Sequence, residues 1–155
     1  MLYRDIIERY RVRHVYVIKD MMRRLIANNA CTFSVHKYFN DLRSRGIRLG
    51  KDLLYEFMNY FTDAYMAFQL NKYDRSVAKQ EQALKKIYIN DTGLGAAYNY
   101  AVSRNEGRLL ETLTFLELKK AGSVIYYTAG NGECDFLVQE GRRIVSAIQV
   151  CYRID

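Results

Sequence analysis

Residues 34–61, SVHKYFNDLRSRGIRLGKDLLYEFMNYF, carry two apolar patterns at helical spacing, separated by a short segment that contains glycine. Ser34 can cap the first predicted helix, which ends near Gly46, and the second begins near Lys51. Residues 3–28 predict one or two further amphipathic helices before this stretch. Three helices with a tight turn before the last one are typical of a helix-turn-helix arrangement.

The pattern changes from helical to extended after this stretch. Residues 66–70 and 76–80 predict two strands around a turn at residues 71–74, and helices followed by such a hairpin form a winged helix. Beyond it, strands are predicted at 86–90, 124–127, 134–138 and 144–152, with a loop at 91–95 and a helix at 106–121. The predicted fold is therefore α+β: a winged-helix domain at residues 1–85 and an α/β domain with a mixed sheet at residues 86–155.

Charge is divided unevenly along the chain, whose net charge is +7. Residues 1–86 hold 17 of the 24 Lys and Arg but 9 of the 17 Asp and Glu, a net of +8, whereas the remainder carries about −1. This asymmetry indicates a surface for phosphates or an acidic partner, and a merely solubilising surface is the alternative. Three cysteines without paired spacing predict reduced thiols. Without a signal peptide or an apolar span, we expect a cytoplasmic protein with no membrane partner.

The third predicted helix is the candidate element for reading DNA. In a helix-turn-helix it would lie in the major groove, and basic side chains nearby would contact phosphates. The alternative is a winged helix used only for protein contacts or domain packing. The predicted nucleic-acid-binding residues are Lys51, Tyr55 and Asn59 on the helix, Arg43, Arg45 and Arg48 before it, and Lys72 and Arg75 on or near the wing.

The second half contains the spacing of a metal-dependent nuclease with two altered positions. Glu111 lies in the predicted helix, Asp135 in a strand, and the position where such nucleases carry Glu-x-Lys reads Gln149-Val-Cys151. The candidate catalytic residues are Glu111, Asp135 and Gln149, and the candidate metal ligands, for Mg²⁺, are Glu111, Glu133 and Asp135. Gln149 offers only a neutral carbonyl, and Cys151 cannot replace a lysine ammonium. Alternatively, Glu111 bonds an arginine such as Arg108 or a backbone group.

Seven blocks of the sequence lie at residues 3–10, 33–37, 63–65, 86–94, 107–112, 115–118 and 132–138. Together and in this order they resemble a group of prokaryotic ATP-binding proteins of the AAA type. Members combine a P-loop ATPase domain, a winged helix and a C-terminal domain of unknown function with a restriction-endonuclease-like fold. The resemblance implies that the ATPase domain, the part that binds ATP, precedes Met1, and that the nuclease-like domain is incomplete at its C-terminus.

Three functions follow as hypotheses. The leading one is a noncatalytic module that binds DNA or a protein partner for the absent ATPase domain and needs no cofactor of its own. The second is a divalent-metal-dependent nuclease of the restriction-endonuclease-like type, which would use Mg²⁺. The third is a structural dimerisation module, in which an exposed strand edge of the truncated sheet pairs with a second copy to form a homodimer.

Overall fold

A computed structural model describes residues 2–93, 106–130 and 132–152 of the chain. In these residues a π-helix, Leu2–Glu8, precedes five α-helices and six strands. The α-helices are α1 (Val15–Ala27), α2 (Val35–Ser44), α3 (Lys51–Asp63), α4 (Val77–Gln82) and α5 (Glu106–Lys120). The strands are β1 (Cys31–Phe33), β2 (Ala67–Leu70), β3 (Lys85–Ile89), β4 (Val124–Thr128), β5 (Cys134–Glu140) and β6 (Arg143–Ile148). The fold is α+β, as predicted.

The helices of the first half begin and end where the local sequence predicts. The Ser34 side chain accepts a hydrogen bond from the Lys37 backbone N–H at 3.2 Å, which caps α2. Gly46, just beyond the end of α2, has a φ of 78°, a conformation that glycine adopts without steric cost. Each of α1, α2 and α3 buries one apolar stripe, and together these stripes form most of the first core.

The first sheet has the antiparallel order β1-β3-β2, with β3 in the centre. The strand predicted at residues 76–80 is wrong, because this segment lies in α4, whose residues are all at least partly exposed. Apart from Val77, α4 consists of good helix formers without the apolar alternation of a half-buried strand. The strand that pairs with β2 is instead β3, so the boundary predicted between residues 85 and 86 falls inside a strand of the first sheet.

The second sheet is antiparallel, in the order β4-β5-β6. The mixed sheet predicted for this half is therefore wrong. Short turns join these strands, and a parallel neighbour would need a long crossover connection. The described residues do contain one parallel pairing, an isolated bridge between Lys72 and Tyr127. This bridge joins the continuation of β2 to β4. Tyr73 N–H donates to Tyr127 O at 2.8 Å and Tyr127 N–H to Asn71 O at 3.1 Å, so this bridge links the two sheets.

β3 forms a wall shared by two hydrophobic cores. Ile87 and Ile89 pack into the first core, among the helices, whereas Tyr88 packs into the second core with Phe115 and Phe136. This division follows from the strand itself, since successive side chains point to opposite faces of a sheet. The Tyr88 and Phe115 rings are stacked, with centroids 4.1 Å apart. Consequently the side chains on the second face of β3, Lys86 included, lie toward α5 and β5.

β6 is the outer strand of the second sheet, and its residues Arg143 to Ala147 are exposed on both faces. Ile144 and Val145 are among the exposed large apolar residues. An edge that pairs with no other strand in the described part of the chain is a template for a further strand. Formation of a homodimer stays a prediction, and β6 would be the strand that pairs with the second copy.

Candidate functional site

Two of the predicted catalytic residues meet around a lysine that the sequence reading did not single out. Lys86 Nζ, from β3, donates to Glu111 Oε1 of α5 at 2.9 Å and to Asp135 Oδ1 of β5 at 3.1 Å. The three side chains are 13–16% exposed. The cluster therefore joins one element of the first half to two elements of the second.

Further donors complete the hydrogen bonding of the two carboxylates. The Tyr88 hydroxyl, two residues along β3 from Lys86, donates to Glu111 Oε1 at 2.6 Å. Asp135 Oδ2 accepts from Gln149 Nε2 at 2.8 Å and from the Val150 backbone N–H at 3.0 Å. Gln149, the third candidate catalytic residue, thus joins the cluster, but it presents its amide N–H₂ to Asp135. We name Lys86, Tyr88, Glu111, Asp135 and Gln149 the lysine cluster.

The electrostatics of the lysine cluster keep Lys86 charged and Tyr88 neutral. Burial alone would lower the pKa of Lys86, but its hydrogen bonds and charge interactions with Glu111 and Asp135 outweigh that effect and raise the pKa above its usual value. Burial, reinforced by the Glu111 charge, raises the pKa of Tyr88 well above the usual value. At neutral pH the cluster therefore holds one cation, and Tyr88 remains a hydrogen-bond donor.

The remaining predicted ligand and the altered lysine position lie apart from these contacts. Glu133 is exposed in the turn before β5, and Cys151 is exposed beyond β6. In residues 2–93, 106–130 and 132–152, no group of three His, Cys, Asp or Glu is arranged to hold a metal ion. The lysine that bonds Glu111 and Asp135 comes instead from β3, whereas the sequence comparison with nucleases places a lysine at position 151.

Lys86 and Tyr88 could have been found from the alternation of β3. In Lys85–Ile89 the buried apolar residues Ile87 and Ile89 alternate with Lys86 and Tyr88, which places a lysine and a tyrosine on the opposite face. That alternation is visible in the sequence. The sequence does not show which elements pack against that face. The contacts of Lys86 lie on α5 and β5, 25 and 49 residues further along the chain.

The predicted DNA-reading side chains share one face of α3. Lys51, Tyr55 and Asn59 follow one another at intervals of four residues, and both Tyr55 and Asn59 are exposed. Tyr55 and Asn59 also line a groove of about 370 Å³ between α3 and the segment at residues 81–85. The Lys51 ammonium lies 5.6 Å from the centre of the Tyr55 ring, an arrangement that orients both side chains.

The predicted phosphate contacts differ in how far they are bonded within the fold, since Arg45, although exposed, is paired there. Arg43, Arg48 and Arg75 are exposed, although the Arg43 guanidinium also lies 5.8 Å from the Phe39 ring centre. Arg45 instead bonds within the fold: it donates to Asp20 at 3.1 Å, to Asp41 at 3.4 Å and to the Tyr16 hydroxyl at 2.8 Å. Lys72 is half-buried at the bridge to Tyr127, between the two sheets, and not on an extended wing.

The predicted alternative for Glu111, a bond to an arginine such as Arg108, differs from the partners described above. Glu111 bonds Lys86 and Tyr88, and Arg108 lies one turn earlier on the same helix, half-buried.

The predicted loop at residues 91–95 lies partly outside the described residues. Helices in the described part of the chain are too short or too polar to cross a bilayer.

Comparisons with known proteins add a family. Residues 1–109 match the family model described as "Domain of unknown function (DUF8612)". Over its full length the chain is similar to the uncharacterized protein MJ1544 of Methanocaldococcus jannaschii, with 33% identity over 163 aligned residues. The chain spans 35% of that protein's length. No solved structure matches the chain significantly.

Proposed function

The chain belongs to the family of the domain of unknown function DUF8612, and we propose that it is a noncatalytic module that binds nucleic acid. In this proposal the first half is a winged helix, the second half has a restriction-endonuclease-like fold, and both serve a longer AAA-type ATPase. The observation that carries the proposal is the outward face of α3, where Lys51, Tyr55 and Asn59 follow one another at intervals of four residues.

The order of the elements supports the winged-helix assignment. Helices α1, α2 and α3 are interleaved with β1 and followed by β2 and β3, and the three strands form one antiparallel sheet with β3 in its centre. In proteins of this kind the last of the three helices enters the major groove. Here that helix is α3, which begins after the short connection at residues 45–50.

Exposed positive charge beside α3 supports contact with phosphates. Arg43 and Arg48 precede α3 and are exposed, and Lys51 is its first residue. Arg45 is committed to Asp20 and Asp41, so we assign it a structural role and leave the phosphate contacts to its neighbours. Side chains of this type give affinity that depends on salt and little on sequence.

The contacts of Asp135 support a noncatalytic second half. Both Asp135 oxygens accept hydrogen bonds, from Lys86 on one side and from Gln149 and Val150 on the other. Hydrolysis assisted by a metal would need these oxygens as ligands, together with a cation near the attacking hydroxide. The position expected to carry that cation holds Cys151, which is exposed.

The length of the related protein is compatible with an ATPase parent. MJ1544 is about three times as long as the segment that the chain spans, which is ample for a P-loop domain. ATP binding and hydrolysis belong, in this proposal, to that other part. The basic face of the first half would then deliver nucleic acid to the motor.

A salt titration of nucleic-acid binding tests the proposal. The wild-type chain is expected to shift a duplex DNA at low salt, with affinity that falls steeply as salt rises. The double variant Arg48→Ala/Lys51→Ala should bind more weakly and reduce the slope of log K against log salt by about 2, since each lost phosphate contact contributes about 0.9. Lys120→Ala, an exposed lysine of the second half, is the matched control and should leave the slope unchanged.

Two results would remove the nucleic-acid proposal. One is the absence of any shift at low salt, which would favour a protein partner for the same face. The other is an equal loss for the double variant and for Lys120→Ala, which would indicate charge attraction without a defined surface.

A metal-dependent nuclease is the second candidate, and the convergence of Glu111, Asp135 and Gln149 with a lysine favours it. Lys86 could supply the ammonium that Cys151 cannot. This candidate predicts Mg²⁺- or Mn²⁺-stimulated cleavage of DNA that Asp135→Ala abolishes. Glu133→Ala, which removes an exposed carboxylate outside the lysine cluster, should leave that cleavage intact. No cleavage in either metal by the wild-type chain would end the candidate.

A further inference from the structure

We propose that the Lys86 ammonium is a built-in cation that takes the place of the divalent metal ion in the nuclease-like half of the chain. A metal-dependent nuclease of this type holds Mg²⁺ between acidic side chains. Here the corresponding side chains, Glu111 and Asp135, both bind the same lysine nitrogen. The inference rests on the nuclease-like fold proposed for this half, and it stands whether or not the first half binds nucleic acid.

The Lys86 ammonium lies between the two carboxylates. Lys86 Nζ lies 2.9 Å from Glu111 Oε1 and 3.1 Å from Asp135 Oδ1, so it bridges one carboxylate oxygen of each residue. A metal ion that bridged the two residues would need those same oxygens, at about 2.0–2.1 Å for Mg²⁺. The two cations therefore compete for one position.

The groups around the two carboxylates are hydrogen-bond donors. The further hydrogen bonds described for Glu111 and Asp135 come from donors: the Tyr88 hydroxyl, the Gln149 amide N–H₂ and the Val150 N–H. Mg²⁺ requires oxygen ligands, and a glutamine could serve only through its carbonyl oxygen. With Gln149 turned to donate, the oxygens left for a cation are those of Glu111 and Asp135, and the Lys86 ammonium already occupies that position.

The carboxylates of Glu111 and Asp135 are largely buried and need a positive charge beside them. The carboxylate side chains are 13% and 15% exposed, so two uncompensated negative charges would be costly there. Lys86 offsets one of the two negative charges, and the donors on Tyr88, Gln149 and Val150 stabilise the remaining negative charge. Since Lys86 is covalently part of β3, its charge cannot be removed by a chelator.

The variant Lys86→Met tests the proposal because methionine keeps most of the side-chain volume but removes the charge. Without metal, this variant should unfold at a temperature lower by about 10 °C. Adding Mn²⁺ at 100 times its dissociation constant should lower the unfolding equilibrium constant of the variant about 100-fold. The wild-type chain should show no such stabilisation, because its own ammonium holds the position.

Terbium luminescence gives a second readout, since tyrosine sensitises a terbium ion bound nearby. Tb³⁺ bound by Glu111 and Asp135 in Lys86→Met would lie close to Tyr88, and its emission should rise over that of the wild-type chain. Lys85→Met, which removes the adjacent lysine on the other face of β3, is the matched control and should behave as wild type. Adding Asp135→Asn to Lys86→Met should abolish the emission and the Mn²⁺ stabilisation.

Wild-type spectra keep the proposal testable if Lys86→Met does not fold. In a nitrogen-15 spectrum of the wild-type chain, Mn²⁺ at millimolar concentration should leave the backbone signals of Glu111, Asp135 and Gln149 unbroadened. Selective broadening of those three signals would mean that a metal displaces the ammonium, which overturns the proposal. So would a folded Lys86→Met that gains neither Mn²⁺ stabilisation nor terbium emission.

Discussion

At the scale of single residues, the lysine cluster depends on hydrogen bonds whose donors come from distant parts of the chain. Glu111 accepts from Lys86 and Tyr88 on one oxygen, and Asp135 accepts from three donors on two oxygens. Hydrogen bonds to charged groups contribute more than neutral ones, and an unsatisfied buried carboxylate is costly. Each donor is therefore expected to have a measurable effect by itself.

Tyr88→Phe isolates one of these hydrogen bonds. The ring, stacked on Phe115, is retained, and only the hydroxyl that donates to Glu111 is lost. We expect the free energy of unfolding to fall by about 1.5–3 kcal/mol, as measured by urea denaturation. Tyr65→Phe is the control, because the Tyr65 side chain is 67% exposed, and its effect should stay within about 0.5 kcal/mol. Equal effects of the two variants would contradict a specific bond to Glu111.

At the scale of elements, an ion-pair network fastens α1 to α2. Asp20 of α1 accepts from Arg24 at 3.3 Å, from Arg45 at 3.1 Å and from the Tyr38 hydroxyl at 2.9 Å. Arg24 also pairs with Asp41 of α2. The network explains why Arg45, predicted as a phosphate contact, is engaged within the fold.

The Asp20 network predicts a loss of stability in acid. Burial alone would raise the pKa of Asp20, but hydrogen bonds from Arg45 and Tyr38 and the nearby arginine charges lower it below its usual value. A lowered pKa in the folded state contributes stability above the unfolded value, about 3.9, which is lost as the pH falls through the folded value. The wild-type chain should be more stable than Asp20→Asn by about 1–2 kcal/mol at about pH 6.

Urea denaturation of both chains from about pH 6 down to about pH 2.5 measures this difference. The difference should shrink below about pH 4 as Asp20 becomes protonated in the wild-type chain. A difference that stays constant across this range would show that the aspartate charge contributes nothing to the joint between α1 and α2.

At the scale of the whole molecule, β3 couples the two halves. The buried Asn29 accepts a hydrogen bond from the Ile89 N–H at 3.0 Å and donates to the Thr112 hydroxyl at 2.8 Å, so it joins β3 to α5. Together with Lys86 and Tyr88, this contact places the second core directly against the first sheet. We therefore expect the halves to unfold as one cooperative unit.

Phe136→Ala tests this coupling from the second half. Phe136 is fully buried, and its truncation should cost about 3–5 kcal/mol. Hydrogen exchange should then accelerate at the amides of α2 as well as those of β5, because both open in one global transition. Leu113→Ala, at a residue of α5 that is 52% exposed, should change exchange little. Acceleration confined to β5 would show that the halves unfold separately.

Much of the local structure could be predicted from the sequence, since it depends on neighbours in the chain. The cap at Ser34, the end of α2 near Gly46 and the apolar stripe of α3 are examples. Which strands pair with each other could not be predicted from the sequence. The strand predicted at residues 76–80 shows why. Turn residues at 71–74 suggested an immediate return, whereas the chain forms α4 before β3 completes the sheet. Strand pairing depends on burial, which local composition records only in part.

The sequence by itself determined which residue types were available for a site: Glu111 in a helix, Asp135 in a strand, and Gln149 and Cys151 where glutamate and lysine were expected. Only the tertiary structure decided that Lys86 bonds both Glu111 and Asp135. The reason is physical: β3 exposes alternate side chains to opposite faces, and which face meets Glu111 and Asp135 depends on how α5 and β5 pack against it. Such contacts join residues 25 and 49 positions apart. No pattern of neighbouring residues specifies them.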